Sequence, residues 1–262
     1  MIKIQRLSTA SFKITSAQGK VIMLDPWLVG DPLWPVEERE PSKLAEINII
    51  IVTHAHFDHV SGVEEICKAN PEAMVICQLE LALSFMAKGI KNVYPLNKGG
   101  TAAVDNIKFS MVGADHTSSF LDEQGGYQYA GTPAGFVIEM EDGFKIYAAG
   151  DTGLTSDMKT VIGDFFKPDL AILPALGFMV MEPEQAVFAV GLIKPKYVIP
   201  SHDFPDKFSQ AASPEGYEAF SKKFPIVLAA KAKTAVFSEL MKKKHRRVKV
   251  FDLNIGETKE IK

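Results

Sequence analysis

The sequence predicts an α+β fold in which two β-layers pack together and helices cover their outer sides. Three observations carry this. Short β-rich runs cluster first and then alternate with helical stretches, in both halves of the chain. That pattern suits two layers better than one doubly wound sheet. No linker, low-complexity stretch or repeat at a period of about 20–50 residues divides the chain, so residues 1–262 read as one domain. Finally, 262 residues that are 47% hydrophobic and 23% charged can bury a large core without staples.

The elements follow in order. Ile2 and Ile4, then Phe12 and Ile14, alternate with polar residues as half-buried strands do. Val21–Leu24 is a buried apolar run that ends in Asp25-Pro26. Residues 27–41, rich in Pro and acids, read as a loop. Residues 47–52 form another β-rich run that delivers the chain into Thr53 and His54. Residues 60–69 predict a helix with Val63 and Ile66 inward, followed by a strand at 74–77, a helix at 79–88 and a short strand at 93–94. Residues 99–116 read as strand, turn, strand with Asp105-Asn106 at the turn. Residues 117–133 are polar and Gly-rich and read as a long loop. Residues 136–140 and 144–148 flank Glu141-Asp142-Gly143 as a hairpin. Strands at 170–173 and 197–199 enclose a helix over 184–193. Helices at 214–222 and 234–244 and strands at 248–253 and 258–261 close the chain.

The chemistry concentrates in His54, His56, Asp58 and His59. Three imidazoles and a carboxylate within six residues are hard to explain structurally, because each would need its own partners if buried. The segment leaves a buried strand and enters a helix, so it sits at a strand's carboxyl end, where sites of α/β type gather. In an extended loop His54 and His56 point the same way and can share one metal ion. Asp58 and His59 turn into the helix start and can serve a second. Zinc and its neighbours favour imidazole with carboxylate. The chain has six histidines. His116 and His202 each end a further strand, as does Asp151. His245 stands in the basic run Lys242, Lys243, Lys244, Arg246, Arg247 and is excluded as a surface residue.

His-Ala-His-Phe-Asp-His at 54–59, with His116, Gly150-Asp151-Thr152 and His202 in that order, resembles the signature of the metallo-β-lactamase superfamily over nearly the whole chain. Within it, the stretch from Ala134 to Ile138 followed by Gly150-Asp151-Thr152 looks most like compact bacterial metal-dependent hydrolases related to ascorbate-6-phosphate lactonase. At longer range the chain is similar to N-acylphosphatidylethanolamine phospholipase D. The resemblance implies a four-layer αββα sandwich with metals at one edge. It implies that His54, His56 and His116 hold one ion, that Asp58, His59 and His202 hold the other, and that Asp151 bridges them. The implied cofactors are two divalent transition-metal ions, zinc first, with manganese, nickel or iron as alternatives.

Blander roles compete for the neighbouring residues. Asp25 either orients a ligand imidazole, as such carboxylates often do, or caps the turn at Pro26. Asp115 and Asp203 follow or precede a ligand histidine and so face away from it; solvent or supporting roles outrank ligation. Trp27, Trp34, Phe178 and Phe204 read as core before pocket lining. Cys67 and Cys77 read as small core residues, too few for a disulfide framework. The basic run reads as a solvated helix end, where cations suit the macrodipole.

The expected function is hydrolysis of an ester, lactone, amide or phosphodiester by a metal-bound hydroxide, with lactone or phosphodiester preferred on resemblance. Asp58 is the expected catalytic carboxylate, steering the hydroxide or taking its proton. No G-x-S-x-G elbow supplies a serine nucleophile. The expected partner is a small-molecule substrate, and a homo-oligomer is allowed. A net charge of −3 gives no field for nucleic acid. No apolar run approaches the ~20 residues of a membrane span, and the alternating N-terminus lacks a signal-peptide pattern, so a cytoplasmic location is expected. Two other classes compete. A mononuclear iron dioxygenase on this fold is one; flavodiiron oxygen reductases instead carry an acid where His56 stands and need a flavin domain. A catalytically silent binding protein is the other, and the complete ligand set argues against it. Free imidazole protonates near pH 6.5, so metal should be lost below that value.

Overall fold

Strand residues that alternate between two apolar faces can be covered only by layers on both sides, and this alternation organises the molecule. A computed structural model describes residues 1–122, 124–204, 212–229 and 233–261. The strands are β1 (Ile2–Arg6), β2 (Phe12–Thr15), β3 (Val21–Leu24), β4 (Ile49–Ile51), β5 (Met74–Gln78), β6 (Val93–Leu96), β7 (Thr101–Val104) and β8 (Ile107–Gly113). They continue as β9 (Ser119–Leu121), β10 (Tyr127–Tyr129), β11 (Ala134–Glu139), β12 (Lys145–Ala148), β13 (Leu170–Pro174), β14 (Tyr197–Ser201), β15 (Lys249–Val250) and β16 (Thr258–Ile261). One sheet runs β16-β1-β2-β3-β4-β5-β6, the other β15-β14-β13-β12-β11-β8-β7, and β9 and β10 form a separate ribbon.

Ile49 and Ile51 of β4 enter a core shared with Phe109, Phe136, Ile146 and Ile172 of the second sheet. Ile50 and Val52 point the other way, onto Val63, Ile66, Leu81 and Phe85 of the helices Val63–Ala69 and Leu79–Ala87. The second sheet mirrors this. Ala171 and Leu173 of β13 pack against helices Met158–Phe166, Pro183–Ile193 and Lys233–Lys244 through Ile162, Val187 and Phe237. The order is therefore helix, sheet, sheet, helix, as the resemblance implied. Each large side chain so buried contributes about 1.5–3 kcal/mol.

Several elements differ from the sequence reading. The helix expected over 60–69 is split into Phe57–Val60 and Val63–Ala69. The break at Gly62 has a packing cause: a Cβ there would lie 2.9 Å from Leu28 and Pro26 Cβ atoms. Helix Met158–Phe166 was not anticipated; it is wide, closing with Lys167 N–H donating to Ile162 O at 2.8 Å, five residues back. Residues 117–133 carry the β9–β10 ribbon, with Glu123 outside the described residues. Of 248–253, Lys249–Val250 alone is strand. Two short helices, Val36–Arg39 and Pro41–Leu44, interrupt the expected loop. Trp27, Trp34 and Phe204 are core, whereas Phe178 is exposed. Cys77 is buried and Cys67 half-buried, both as free thiols. Among the described residues no helix is long and apolar enough to cross a membrane.

His245 is the main correction outside the site. It is half-buried rather than on the surface, its Nε2 lies 3.1 Å from Val187 O, and its ring packs against Gly191. The basic run itself does end its helix in Lys242, Lys243 and Lys244.

Candidate metal centre

The topology brings the sequence-expected residues to one edge. β12, β13 and β14 are parallel, and β8 shares their direction because both it and β12 run antiparallel to β11. Asp151, His202 and His116 therefore leave the second sheet at the same edge. β3, β4 and β5 are parallel in the first sheet, and β4 feeds His54. His56 precedes the short helix Phe57–Val60 as its N-cap, in extended conformation at φ −65° and ψ 148°. Asp58 and His59 follow within its first turn, where a carboxylate suits the helix's positive end.

Asp151 Oδ2 lies at the centre. It is 2.9 Å from His202 Nε2, 3.5 Å from His59 Nε2, 3.7 Å from His116 Nε2 and 4.0 Å from His54 Nε2. Asp58 Oδ2 is 3.4 Å from His202 Nε2 and 3.7 Å from His59 Nε2. His54 Nε2 and His56 Nδ1 are 2.9 Å apart. Among the described residues, three groups have donor atoms close enough together to hold an ion: His54 with His56 and His116, His54 with His59 and Asp151, and Asp58 with His59 and His202. All seven residues named from the sequence thus converge.

Support comes from residues behind them. Asp25 Oδ2 lies 3.0 Å from His59 Nδ1 and accepts the Thr53 hydroxyl at 2.7 Å, while Oδ1 accepts Thr53 N–H at 2.8 Å. Of its two sequence readings, orientation of an imidazole is the one the geometry fits. Thr53 Oγ1 also lies 3.1 Å from His54 Nδ1, so one carboxylate steadies two imidazoles. Thr53 was missed in the sequence, although its place between a strand end and His54 was a signal. Ser118 was missed too; its hydroxyl accepts Ala55 N–H at 3.2 Å and ties the ribbon to the histidine segment. Asp115 is exposed. Asp203 pairs with Arg6 at 2.6 Å.

Electrostatics divide the cluster. Burial pushes His54, His56 and His116 below the ordinary imidazole value, His54 furthest. Burial also opposes charge on His59 and His202. There it is outweighed, chiefly by Asp151, then by Asp58, so that His59 is held well above the ordinary value and His202 is pushed up to about 10. Burial would raise Asp58 and Asp151, but the facing imidazoles outweigh it. His59 first and then His202 hold Asp58 below the usual carboxylate range, and His202 first and then His59 hold Asp151 well below it.

Residues 21–202 match the Beta-lactamase superfamily domain. The chain is 37% identical over 226 residues to a UPF0173 metal-dependent hydrolase of Rubrobacter xylanophilus, covering 86% of this chain and 91% of that protein. It is 38% identical over 202 residues to one of Methanosphaera stadtmanae, covering 77% and 83%. Among solved structures it resembles Igni18, a metallo hydrolase of the archaeon Ignicoccus hospitalis, with a TM-score of 0.78, 26% identity and coverage of 100% and 99%. The chain belongs to the β-lactamase superfamily, in the family of UPF0173 metal-dependent hydrolases.

Proposed function

We propose that the chain, acting as one domain, binds two divalent transition-metal ions and hydrolyses a small ester, lactone or phosphodiester. The observation that carries this is a buried donor set left incomplete. Asp151 Oδ1 is buried with no hydrogen-bond partner among the described residues, and the buried His59 Nε2 and His202 Nε2 have only the carboxylates of Asp58 and Asp151 facing them. Such groups are costly unless something else satisfies them. A tetrahedral zinc with imidazole at about 2.0–2.1 Å needs donors about 3.4 Å apart, and the Asp151 and Asp58 contacts of 2.9–4.0 Å bracket that spacing. In this reading His54, His56 and His116 hold one ion and Asp58, His59 and His202 the other, with Asp151 between them. Zinc is the first expectation, since imidazole and carboxylate suit it.

When bound, the ions supply an acidified water and a Lewis acid for the scissile oxygen. The protein supplies orientation. Asp25 and Thr53 hold the His54 and His59 rings. Asp58 stays ionised, with one oxygen toward His59 and His202 and the other available to accept a proton in a hydrogen bond. Its depressed pKa makes it an orienting acceptor more than a strong base. The two free cysteines, neither in a disulfide, fit a reducing, cytoplasmic setting.

The test is elemental analysis of purified protein beside a panel of ester, lactone and phosphodiester substrates. We expect up to two transition-metal ions per chain and turnover of one class. Protein that carries no metal, and takes none up on reconstitution, would refute the reading. Iron with oxygen consumption and no hydrolysis would favour the dioxygenase class.

A further inference from the structure

Arg6 ends β1 and is only 4% exposed, yet nothing in the proposed chemistry uses it. Its guanidinium makes four hydrogen bonds from its five N–H groups. Nε donates to Ser8 O at 3.0 Å, Nη1 to Leu253 O at 3.0 Å, and Nη2 to both Asp203 O at 3.0 Å and Asp203 Oδ1 at 2.6 Å. Its own backbone is pinned as well, with N–H donating to Glu257 O at 3.1 Å and O accepting Gly256 N–H at 2.7 Å. One side chain therefore joins the turn after β1, the segment after β15 and the residue that follows His202.

His202 needs such a brace. Its φ is +60°, a left-handed conformation that a side chain with a Cβ disfavours. Two contacts impose it. On one side His202 N–H donates to Thr9 O at 2.7 Å. Thr9 adjoins Ser8, whose carbonyl Arg6 holds. On the other side Asp203 is gripped through its carbonyl and its carboxylate by the same guanidinium. Both flanks of His202 thus refer to Arg6, across the boundary between the two sheets. The exposed Asp252 also lies near Asp203 and Arg6, and the two carboxylates repel one another. Removing the cation would leave that repulsion in place beside His202.

We propose that Arg6 is a positioning residue that sets His202 against Asp58 and Asp151, and so governs the affinity of one half of the metal centre. The inference rests on the proposed reading that these residues hold metal. A planar fork makes these contacts; a lysine ammonium on a flexible stem cannot reproduce them.

The experiment loads wild type, Arg6→Lys and Asp203→Asn with zinc, and separately with cobalt for its visible absorption. Competition with a chromophoric chelator gives the two stepwise dissociation constants at one pH. Thermal midpoints of the metal-free proteins are measured beside them, and His202→Ala marks which ion the histidine holds. Supporting groups around metal ligands typically change affinity by about 10–100-fold. We expect Arg6→Lys to weaken by that range the ion that His202→Ala also loses, with the other ion within about threefold of wild type. Asp203→Asn, which keeps the carbonyl contact, should weaken the same ion less. Cobalt bound by Arg6→Lys should show an altered spectrum for that site. A lowered midpoint with both affinities unchanged would mean that Arg6 braces the fold alone, and would overturn the proposal. Equal weakening of both ions would overturn it too. No uptake by wild type would instead refute the metal reading, and this inference with it.

Discussion

Metal binding to the two halves of the centre should depend on pH in different ways. His54, His56 and His116 are pushed below the ordinary imidazole value by burial, so at pH 7 they carry no proton that an ion must displace. His202 is held up to about 10 by Asp151 and Asp58 against its burial. At pH 7 its proton is therefore favoured by about three pKa units, or roughly 10³-fold, which is about 4 kcal/mol subtracted from the apparent affinity of that half. The sign follows from the raised value: affinity of the Asp58, His59 and His202 half should rise about tenfold per pH unit from 7 towards 10. His59, also raised, makes the slope steeper. The His54 half should be flat above about pH 6.5. The simple expectation of metal loss below 6.5 thus holds for one half and moves upward for the other. Stability of the metal-free protein gives an independent readout. The His202 contribution is fully present below about pH 6.5 and is lost as pH rises through about 10, so the metal-free midpoint should fall across that window. The depressed Asp58 and Asp151 add a second loss on the acid side, below about pH 3.8. The assay is chelator competition from pH 6 to 10, with calorimetry in buffers of different ionisation enthalpy to count released protons. Two ions with the same pH dependence, or a second ion whose affinity is level from pH 7 to 10, would refute the reasoning.

Three further outcomes follow from the same geometry. Asp58→Asn keeps the shape but loses the charge that faces His59 and His202, so turnover should fall by about 10²–10⁴-fold, or about 3–5.5 kcal/mol of barrier, with the His54 half still loaded. Near-normal turnover with a lowered midpoint would make Asp58 a helix-start carboxylate only. His245→Ala should leave metal content unchanged but cost about 1 kcal/mol, because the Nε2 contact with Val187 O is lost; melting and elemental analysis together check both halves of that statement. Tyr127 and Tyr129 are 79% and 68% exposed on the ribbon that begins just after His116, so replacing both by alanine should raise KM while metal content and midpoint hold. Unchanged kinetics on a verified substrate would make the ribbon a surface excursion.

The layered fold and the seven clustered residues were legible because each leaves a trace in side-chain identity. Ile49, Ile50 and Ile51 can be buried on both faces only between two layers. Five histidines and two aspartates gathered after the ends of different strands are hard to satisfy except together. What escaped was carried by the backbone or by distance. Helix Met158–Phe166 was invisible because Thr160, Val161, Ile162 and Gly163 have low helix propensity, and Gly163 is explained only by its neighbour, where a Cβ would fall 2.4 Å from Leu192 O. His245 was misplaced because its charged flanks signal solvent, while Val187 O, 58 residues away, does not show in the sequence. Arg6 and Asp203 are 197 positions apart.

The backbone also marks the site in a way that residue identity hides. Among the described residues, seven non-glycine residues have positive φ. Asp105 and Asn106 form the turn between β7 and β8, and Lys167 and Lys194 end helices; these are ordinary places for left-handed backbone. Phe178 lies in the loop after β13. The other two are Asp25 and His202, at φ 47° and 60°, which touch the metal centre from opposite sheets. Gly150, beside Asp151, is left-handed as well at φ 63°, and a Cβ there would fall 2.7 Å from Thr53 Cβ. Strain of this kind persists only when its surroundings enforce it. Around Asp25 the enforcement is Thr53 and the Ser11 hydroxyl, which donates to Asp25 O at 2.5 Å. Around His202 it is Thr9 O and Arg6. The β1–β2 segment of the first sheet therefore pins a strained residue at the end of a strand in each sheet, with Arg6, Thr9 and Ser11 lying within six positions of one another. None of those three is among the residues proposed to hold an ion, yet Arg6 and Thr9 act on the centre through His202 and Ser11 through Asp25, which faces His59, so substitutions there should disturb the Asp58, His59 and His202 half first.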